Sequence, residues 1–381
     1  MLLAQTPDLA ASSQQPALQR TPLSASQKAA QRWLTGYVAG YERDLLPLGE
    51  LDWSTMTDVT VARVVPLPDG RLDATFDIDP VGGPLWAAAV VRAAHAHGLR
   101  AALMVGGAGT HDAFVAAAKP AHQGAFVAAL LNLATKGGFD GVDLDWEPLE
   151  RADEPGLLAL AQRLKRERPG LTLSLPLGYV NANFPSEEAR PSLAKLARVF
   201  DRINIMSYDM AGDDEGWASW HSAALRGDTE STPTSVQSSV NAYLAAGIPA
   251  RKLGLGVGFF GQCFQGVSAP RQTPAGFHIV ASDGDMSYAN IVRDYLKPVL
   301  RHWDAVAGVP YLGALNLSSQ ARLGPKKCSY VSYDDERSVA LKAEYARQHG
   351  LGGMIVWTVA QGHLSGSGGH DPLLKAMRAK F

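Results

Sequence analysis

Residues 139–147 read Phe139-Asp140-Gly141-Val142-Asp143-Leu144-Asp145-Trp146-Glu147. From Val142 onward apolar and acidic residues alternate, which is the two-residue period of an extended strand. Val142, Leu144 and Trp146 then share one face and Asp143, Asp145 and Glu147 the other. The apolar face calls for a layer of helices behind it. The acidic face, with carboxylates about 6–7 Å apart, calls for an interior open to a polar mouth. Like-charge repulsion and burial make it costly to ionise all three, so at least one is held protonated above its ordinary range. A carboxylic acid kept protonated near neutral pH can donate a proton to a glycosidic oxygen. A structural acidic cluster or a divalent-ion site could use the same residue types.

Outward from this segment, short apolar runs recur at LTGYVAGY (34–41), DVTVARVV (58–65), LRAALMVGG (99–107), LTLSLPLG (171–178), RINIMSYD (202–209), KLGLGVGFF (252–260) and GGMIVWT (352–358). With 139–147 that makes eight, each of a length that suits a strand buried on both faces. The stretches between them carry helical spacing, as in PGLLALAQRLKRER and SSVNAYLAAG. Eight strand–helix alternations predict an α/β chain folded as a (β/α)8 barrel. A doubly wound sheet is the alternative, but no G-x-G-x-x-G follows an early strand. The seventh and eighth runs are separated by residues 261–351, more than one helix fills. A small α+β insertion over 262–330 is therefore expected, on the face where such barrels carry their sites. The expected organisation is a flexible tail over 1–28, a barrel over 29–261 and 331–381, and the insertion between.

Composition narrows the function classes. Lys and Arg total 35 against 37 Asp and Glu, a net charge of −2 over 381 residues, which offers no basic face for nucleic acid or an anionic membrane. The longest apolar runs fall short of the roughly 20 residues that span a bilayer. The leading MLLAQTPDLAASSQQPALQ shows neither the charged start nor the apolar run of a secretory signal. Cys263 and Cys328 flank the expected insertion. They are either two unrelated buried thiols or a bridge closing its base, and a bridge would imply an oxidising compartment.

D-G-x-D-x-D-x-E on a barrel strand resembles the signature of glycoside hydrolase family 18, the chitinase family. GYVAGY, LMVGG, INIMSYD, LGLGVGFFGQ and YVSYDDERSVALKAEYARQHGLGGMIVWTVAQG resemble its first, third, sixth, seventh and eighth strand regions, in that order. MSYANIVRDYLK and WDAVAGVPYL resemble pieces of its insertion domain. The resemblance implies Glu147 as general acid, Asp145 as the carboxylate that turns to the substrate acetamido group, and Asp143 as its buried proton-sharing partner. It implies that Tyr208 and Asp209 position the acetamido group and the sugar and that Met206 floors the pocket. Trp357 would be the plate under the sugar to be cleaved, and Tyr37 a hydrogen-bonding neighbour of Asp143. Gly107 and Trp220 complete the expected binding set. Trp220, with Trp217 in the same loop, either stacks on sugar or packs against the insertion, and His221 is expected to be structural.

The implied reaction is retaining and substrate-assisted. A protein nucleophile would require a second carboxylate about 5–5.5 Å from the acid, across the bond. Three carboxylates on one strand do not supply that, whereas the N-acetyl oxygen of the substrate can attack instead. The expected partner is chitin or another N-acetylglucosamine glycan, including peptidoglycan or an N-glycan core, with a non-catalytic chitin-binding lectin as the other class. No cofactor or metal, a monomer, and a secreted or periplasmic location are expected. Three places depart from the family pattern. Met104 stands where Ser is usual, which would leave Tyr37 as the main anchor of Asp143. Ala108 stands where a Trp is usual, and Gln361 and Gly362 where an Asp is common.

Overall fold

The apolar runs pair edge to edge in parallel and close on themselves. The computed structural model describes residues 32–183, 189–313, 322–365 and 371–381, and the tail expected over 1–28 lies outside them. Strands β1 (Trp33–Ala39), β2 (Asp58–Pro66), β4 (Arg100–Gly107), β5 (Gly141–Trp146), β6 (Thr172–Gly178), β7 (Arg202–Met206), β8 (Leu253–Gly258) and β14 (Gly353–Trp357) form the barrel. Their spatial order is β1-β14-β8-β7-β6-β5-β4-β2, and pairing of β1 with β2 completes the ring. A two-residue strand, β3 (Leu72–Asp73), lies antiparallel on β2. The fold is the (β/α)8 barrel the eight runs predict.

The helices cover the barrel with apolar stripes. In α4 (Glu154–Glu167), Leu157, Leu160, Ala161 and Leu164 are buried, the i, i+3, i+4, i+7 pattern of one helix face. The helix α3 (Pro120–Gly137) starts on a proline and stops at Gly138, whose φ of 75° gives the left-handed cap that glycine adopts without a Cβ clash. Trp146 turns outward, as the alternation in β5 requires, and stacks on Phe114 of α2 (His111–Ala117) at 4.8 Å between ring centroids. Val142 and Leu144 are fully buried on the same side.

The first residues of three strands close the base of the barrel. Asp58 opens β2 and holds Arg100, which opens β4, at 2.8 Å and Arg202, which opens β7, at 3.1 Å. The Arg202 guanidinium lies 4.8 Å from the ring centroid of Trp33, whose Nε1 donates to Asn204 Oδ1 at 3.2 Å. Burial alone would raise Asp58, but the two guanidinium groups outweigh it and hold its carboxyl below the ordinary range.

A second sheet lies between β8 and β14 in the chain. It is antiparallel, in the order β10 (His278–Ala281), β9 (Gln262–Gln265), β13 (Tyr330–Ser332), β12 (Val309–Gly313) and β11 (Arg301–Asp304). Cys263 and Cys328 are joined by a disulfide with their Cα atoms 5.3 Å apart, which settles the two readings of the pair in favour of the bridge. Of MSYANIVRDYLK, Tyr288–Tyr295 is helical, in two short turns, and Met286 ends a preceding 3-10 turn. Trp220, Phe264, Phe277, Val309 and Tyr330 form the apolar cluster under this sheet. Among the described residues no single helix is long and apolar enough to cross a membrane.

Candidate active site

The barrel mouth is built from strand ends. In β5 the acidic face of the alternation points inward, with Asp143 deepest, Asp145 next and Glu147 just beyond the strand. Asp143 is fully buried and accepts from Tyr37 Oη, on β1, at 2.7 Å and from Ser174 Oγ, its register partner on β6. Burial raises its carboxyl from an ordinary 3.8 to about 6, and the hydrogen bonds from Ser174 and Tyr37 oppose that rise. Asp145 is raised well above its ordinary range by burial, then by the charges of Glu147 and Asp143. It shares a hydrogen bond with Glu147. Its Oδ1 is buried and has no hydrogen-bond partner among the described residues. Glu147 is raised by burial, against the pull of Asp145 and of Arg63.

A cavity of about 370 Å³ opens above these carboxyls. Tyr37, Gly107, Asp145, Glu147, Met206, Tyr208, Asp209 and Trp357 line it together. Asp143 sits beneath. Trp357 packs on Tyr37 with ring centroids 5.6 Å apart. Its Nε1 donates to Asp283 Oδ1 at 3.2 Å. Gln361 Nε2 donates to the same oxygen and to Glu42 Oε1, each at 2.8 Å, and Glu42 also accepts from Thr358. Tyr208 packs edge-on against Phe260, and burial with the charges of Asp145 and Glu147 keeps its phenol protonated. Asp209, at a φ of 53°, accepts from Ser282 Oγ at 2.6 Å. Its carboxyl is raised to about 6 by burial, with Ser282 opposing and Asp283 adding to the rise. A second cavity of about 260 Å³, lined by Leu149, Tyr179 and Arg190, meets the first at Glu147, Pro176 and Met206. Glu147 thus stands on the boundary between the two.

The end of β4 matters for what it leaves out. Gly106 and Gly107 have φ of 101° and 96°. A Cβ on Gly106 would lie 2.3 Å from the Asp145 carbonyl oxygen, and one on Gly107 2.9 Å from Arg63 Nη1. Only glycine lets β4 pass this close to the acid strand and to that guanidinium.

Two expectations are corrected. Trp220 does not reach the cavity: it is fully buried, its Nε1 donates to the Thr234 carbonyl at 2.7 Å, and Arg271 lies over its ring at 4.8 Å. The adjoining His221 is equally buried and bonds Asp304 at 3.0 Å, so this loop anchors the second sheet. Trp217 is buried as well. Nor is Tyr37 the main anchor of Asp143 in place of the hydroxyl lost at Met104, because Ser174 supplies one from the other neighbouring strand. Sequence reading missed Ser174, Arg63, Asp283 and Glu42. Ser174 and Arg63 did leave a trace, as lone polar residues inside apolar runs.

The family model described as "Glycosyl hydrolases family 18" matches residues 77–362. A "chitinase-like effector" from Moniliophthora roreri is 27% identical, with 94% of this chain and 94% of that one covered. "Chitinase A1" from Niallia circulans is 30% identical over 64% of this chain and 38% of its own length. Among solved structures, the Group IV chitinase of Ostrinia furnacalis superposes with a TM-score of 0.73 at 22% identity, covering 92% of this chain and 99% of that one.

Proposed function

The chain belongs to the glycosyl hydrolases of family 18, and from that premise we propose that it hydrolyses β-1,4-linked N-acetylglucosamine chains by a retaining, substrate-assisted route. At family level it is a chitinase-type hydrolase. The observation that carries the finer reading is the ladder of three carboxyls on and just beyond β5, all raised by burial, at the edge of a cavity that ends in an aromatic plate.

Glu147 is the proton donor. It stands between two cavities, so a glycan laid across both places its scissile oxygen at that carboxyl. As the bond breaks, positive charge develops on the anomeric carbon, and the acetamido oxygen of the same sugar closes on it. Asp145 orients the acetamido N–H and balances the oxazolinium charge, a task that suits a carboxyl whose Oδ1 lacks a protein partner. Asp145 hands its shared proton toward Asp143, which Tyr37 and Ser174 hold ready to accept charge. Tyr208 donates to the acetyl oxygen and Asp209 fixes the sugar hydroxyls. Trp357 stacks under the sugar, with its indole held by Asp283. Water then opens the oxazolinium with Glu147 as base, giving net retention.

The other carboxyls in the cavity each accept from protein donors at one oxygen. Asp209 is bonded by Ser282, and Asp283 by Trp357 and Gln361. The test is a matched substrate pair. Chito-oligosaccharides lacking the N-acetyl group at the cleavage position should be inert while the acetylated ones are cut. Comparable rates on both would mean a protein nucleophile. The other class, a non-catalytic chitin-binding lectin, is opposed by the intact, protonatable Glu147. The disulfide supports export to an oxidising, secreted or periplasmic location.

A further inference from the structure

Among the described residues, one cation lines the main cavity with four carboxyls. Asp145, Glu147, Asp209 and Asp283 contribute the acids and Arg63 the guanidinium. Arg63 is an odd residue in DVTVARVV, where every near neighbour in the run is apolar. The pairing of β2 with β4 shifts register between Val61 and Val64, and a strand irregularity of that kind re-aims the side chains it carries. Here it coincides with Arg63 turning into the mouth.

The side chain is held in place and left incomplete. Its Nε donates to Asp77 Oδ2 at 3.2 Å, and one Nη1 hydrogen goes to the Gly106 carbonyl at 3.1 Å. Gly107 gives the guanidinium its seat, since a Cβ there would meet Nη1. Nη2 makes no hydrogen bond among the described residues. Two anchored donors fix the fork, and the remaining N–H groups are presented to the cavity as a planar donor set. Ala62, Gly107 and Ala108 line the cavity on this side, together with Tyr41 and Met104.

We propose that Arg63 is a carboxylate-recognition residue, and that the cavity takes an N-acetylated aminosugar bearing an ether-linked carboxylate, the 3-O-lactyl group of the muramic-type sugar in peptidoglycan strands. The proposal rests on the reading of the cavity as an acetamido-glycan site and specifies its substrate class. Among the described lining residues an anionic substituent meets a cation only at Arg63, whose Nε is already paired with Asp77 and whose Nη2 is left for it. Everywhere else in the cavity it would face Asp145, Glu147, Asp209 or Asp283. Against Arg63 it meets a preorganised donor fork whose rotamer entropy is already spent on Asp77 and Gly106.

The experiment measures affinity, so it does not depend on turnover. Glu147→Gln protein is titrated with a peptide-free tetrasaccharide of alternating N-acetylglucosamine and N-acetylmuramic acid, once with the lactyl carboxylate free and once as its methylamide. With Arg63 present, the carboxylate form should bind about tenfold more tightly than the methylamide, the scale of one charge-assisted hydrogen-bonded contact. Adding Arg63→Gln should bring that ratio to about one, and Arg63→Lys should restore only part of it. Salt should shrink the ratio in the Arg63 protein. A ratio of one or less with Arg63 present overturns the proposal, whether or not the Gln variant folds, and so does a ratio that Arg63→Gln leaves unchanged. Failure of the wild type to cut both neutral chito-oligosaccharides and the alternating tetrasaccharide would instead overturn the hydrolase reading, and would leave the affinity ratio to be judged on its own.

Discussion

The two ends of one barrel treat the same side chain in opposite ways. At the base, Asp58 is buried but faces Arg100 and Arg202, and its carboxyl lies below the ordinary range. At the mouth, Asp143 is buried among other carboxyls and meets hydroxyl donors, and it rises to about 6. Burial pushes both upward, so the sign is decided by what is brought alongside. Paired with cations, an aspartate becomes a permanently charged brace. Given hydroxyl donors and a like charge, with Arg202 only a lesser pull against burial, it becomes a group that can carry a proton. The difference between scaffold and chemistry here lies in the counter-charge and not in depth.

The sharpest way to test this contrast is to neutralise one carboxyl at each end. Glu147→Gln keeps volume and shape but removes the transferable proton, and turnover of chito-oligosaccharides should fall by about 10²–10⁴-fold with the fold intact. More than a tenth of wild-type turnover in the purified variant would remove Glu147 from its role. Asp58→Asn should do the reverse. It leaves Arg202 buried with its main counter-charge gone, so stability should drop by about 3–5 kcal/mol. Activity per folded molecule should stay near wild type. Denaturant unfolding beside a turnover assay reads both. An Asp58→Asn protein that loses activity without losing stability would erase the proposed division between the ends.

The finest comparison is in pH. Asp143 has a raised folded value, about 6 against an ordinary 3.8, so the folded state holds a proton that the unfolded state releases between those limits. Stability therefore falls as pH rises through that window, by about 1.4 kcal/mol per pH unit for each such group. Asp209 adds to the same slope. Asp58, lowered in the fold, works the other way: its contribution is present above the ordinary carboxylate value and is lost on acidification below it. Asp143→Asn should flatten the slope between pH 4 and 6 without touching the acid limb. Ser174→Ala, which removes a hydrogen bond that holds Asp143 down, should shift the window upward and reduce turnover only a few-fold. An unchanged slope in Asp143→Asn would show that the mouth carboxyl titrates as an ordinary surface acid.

How much of this was legible in the chain follows from the period of a strand. Parallel barrel strands are buried on both faces, so they stand out as short apolar runs, and β5 announces its acids by breaking that rule at every second residue. The partners of those acids were not visible, because they arrive from other strands. Ser174 meets Asp143 through register, and Asp283 reaches Trp357 from a segment that begins after β10. No local spacing encodes such meetings. Trp220 misled for the related reason that a loop tryptophan reads the same whether it faces sugar or, as here, sits under a sheet on Arg271 and Thr234.

The second sheet bears on how this protein can be altered. Its neighbouring segment supplies Ser282, which ties down Asp209, and Asp283, which holds the indole of Trp357 and lines the cavity beside it. The inserted stretch is thus not an accessory that could be trimmed from a self-sufficient barrel or exchanged as a cassette for reach along a longer polymer. Over evolutionary time the barrel and its insertion are expected to be inherited together, and a chimera that swaps one without the other has to rebuild the wall behind Trp357 first.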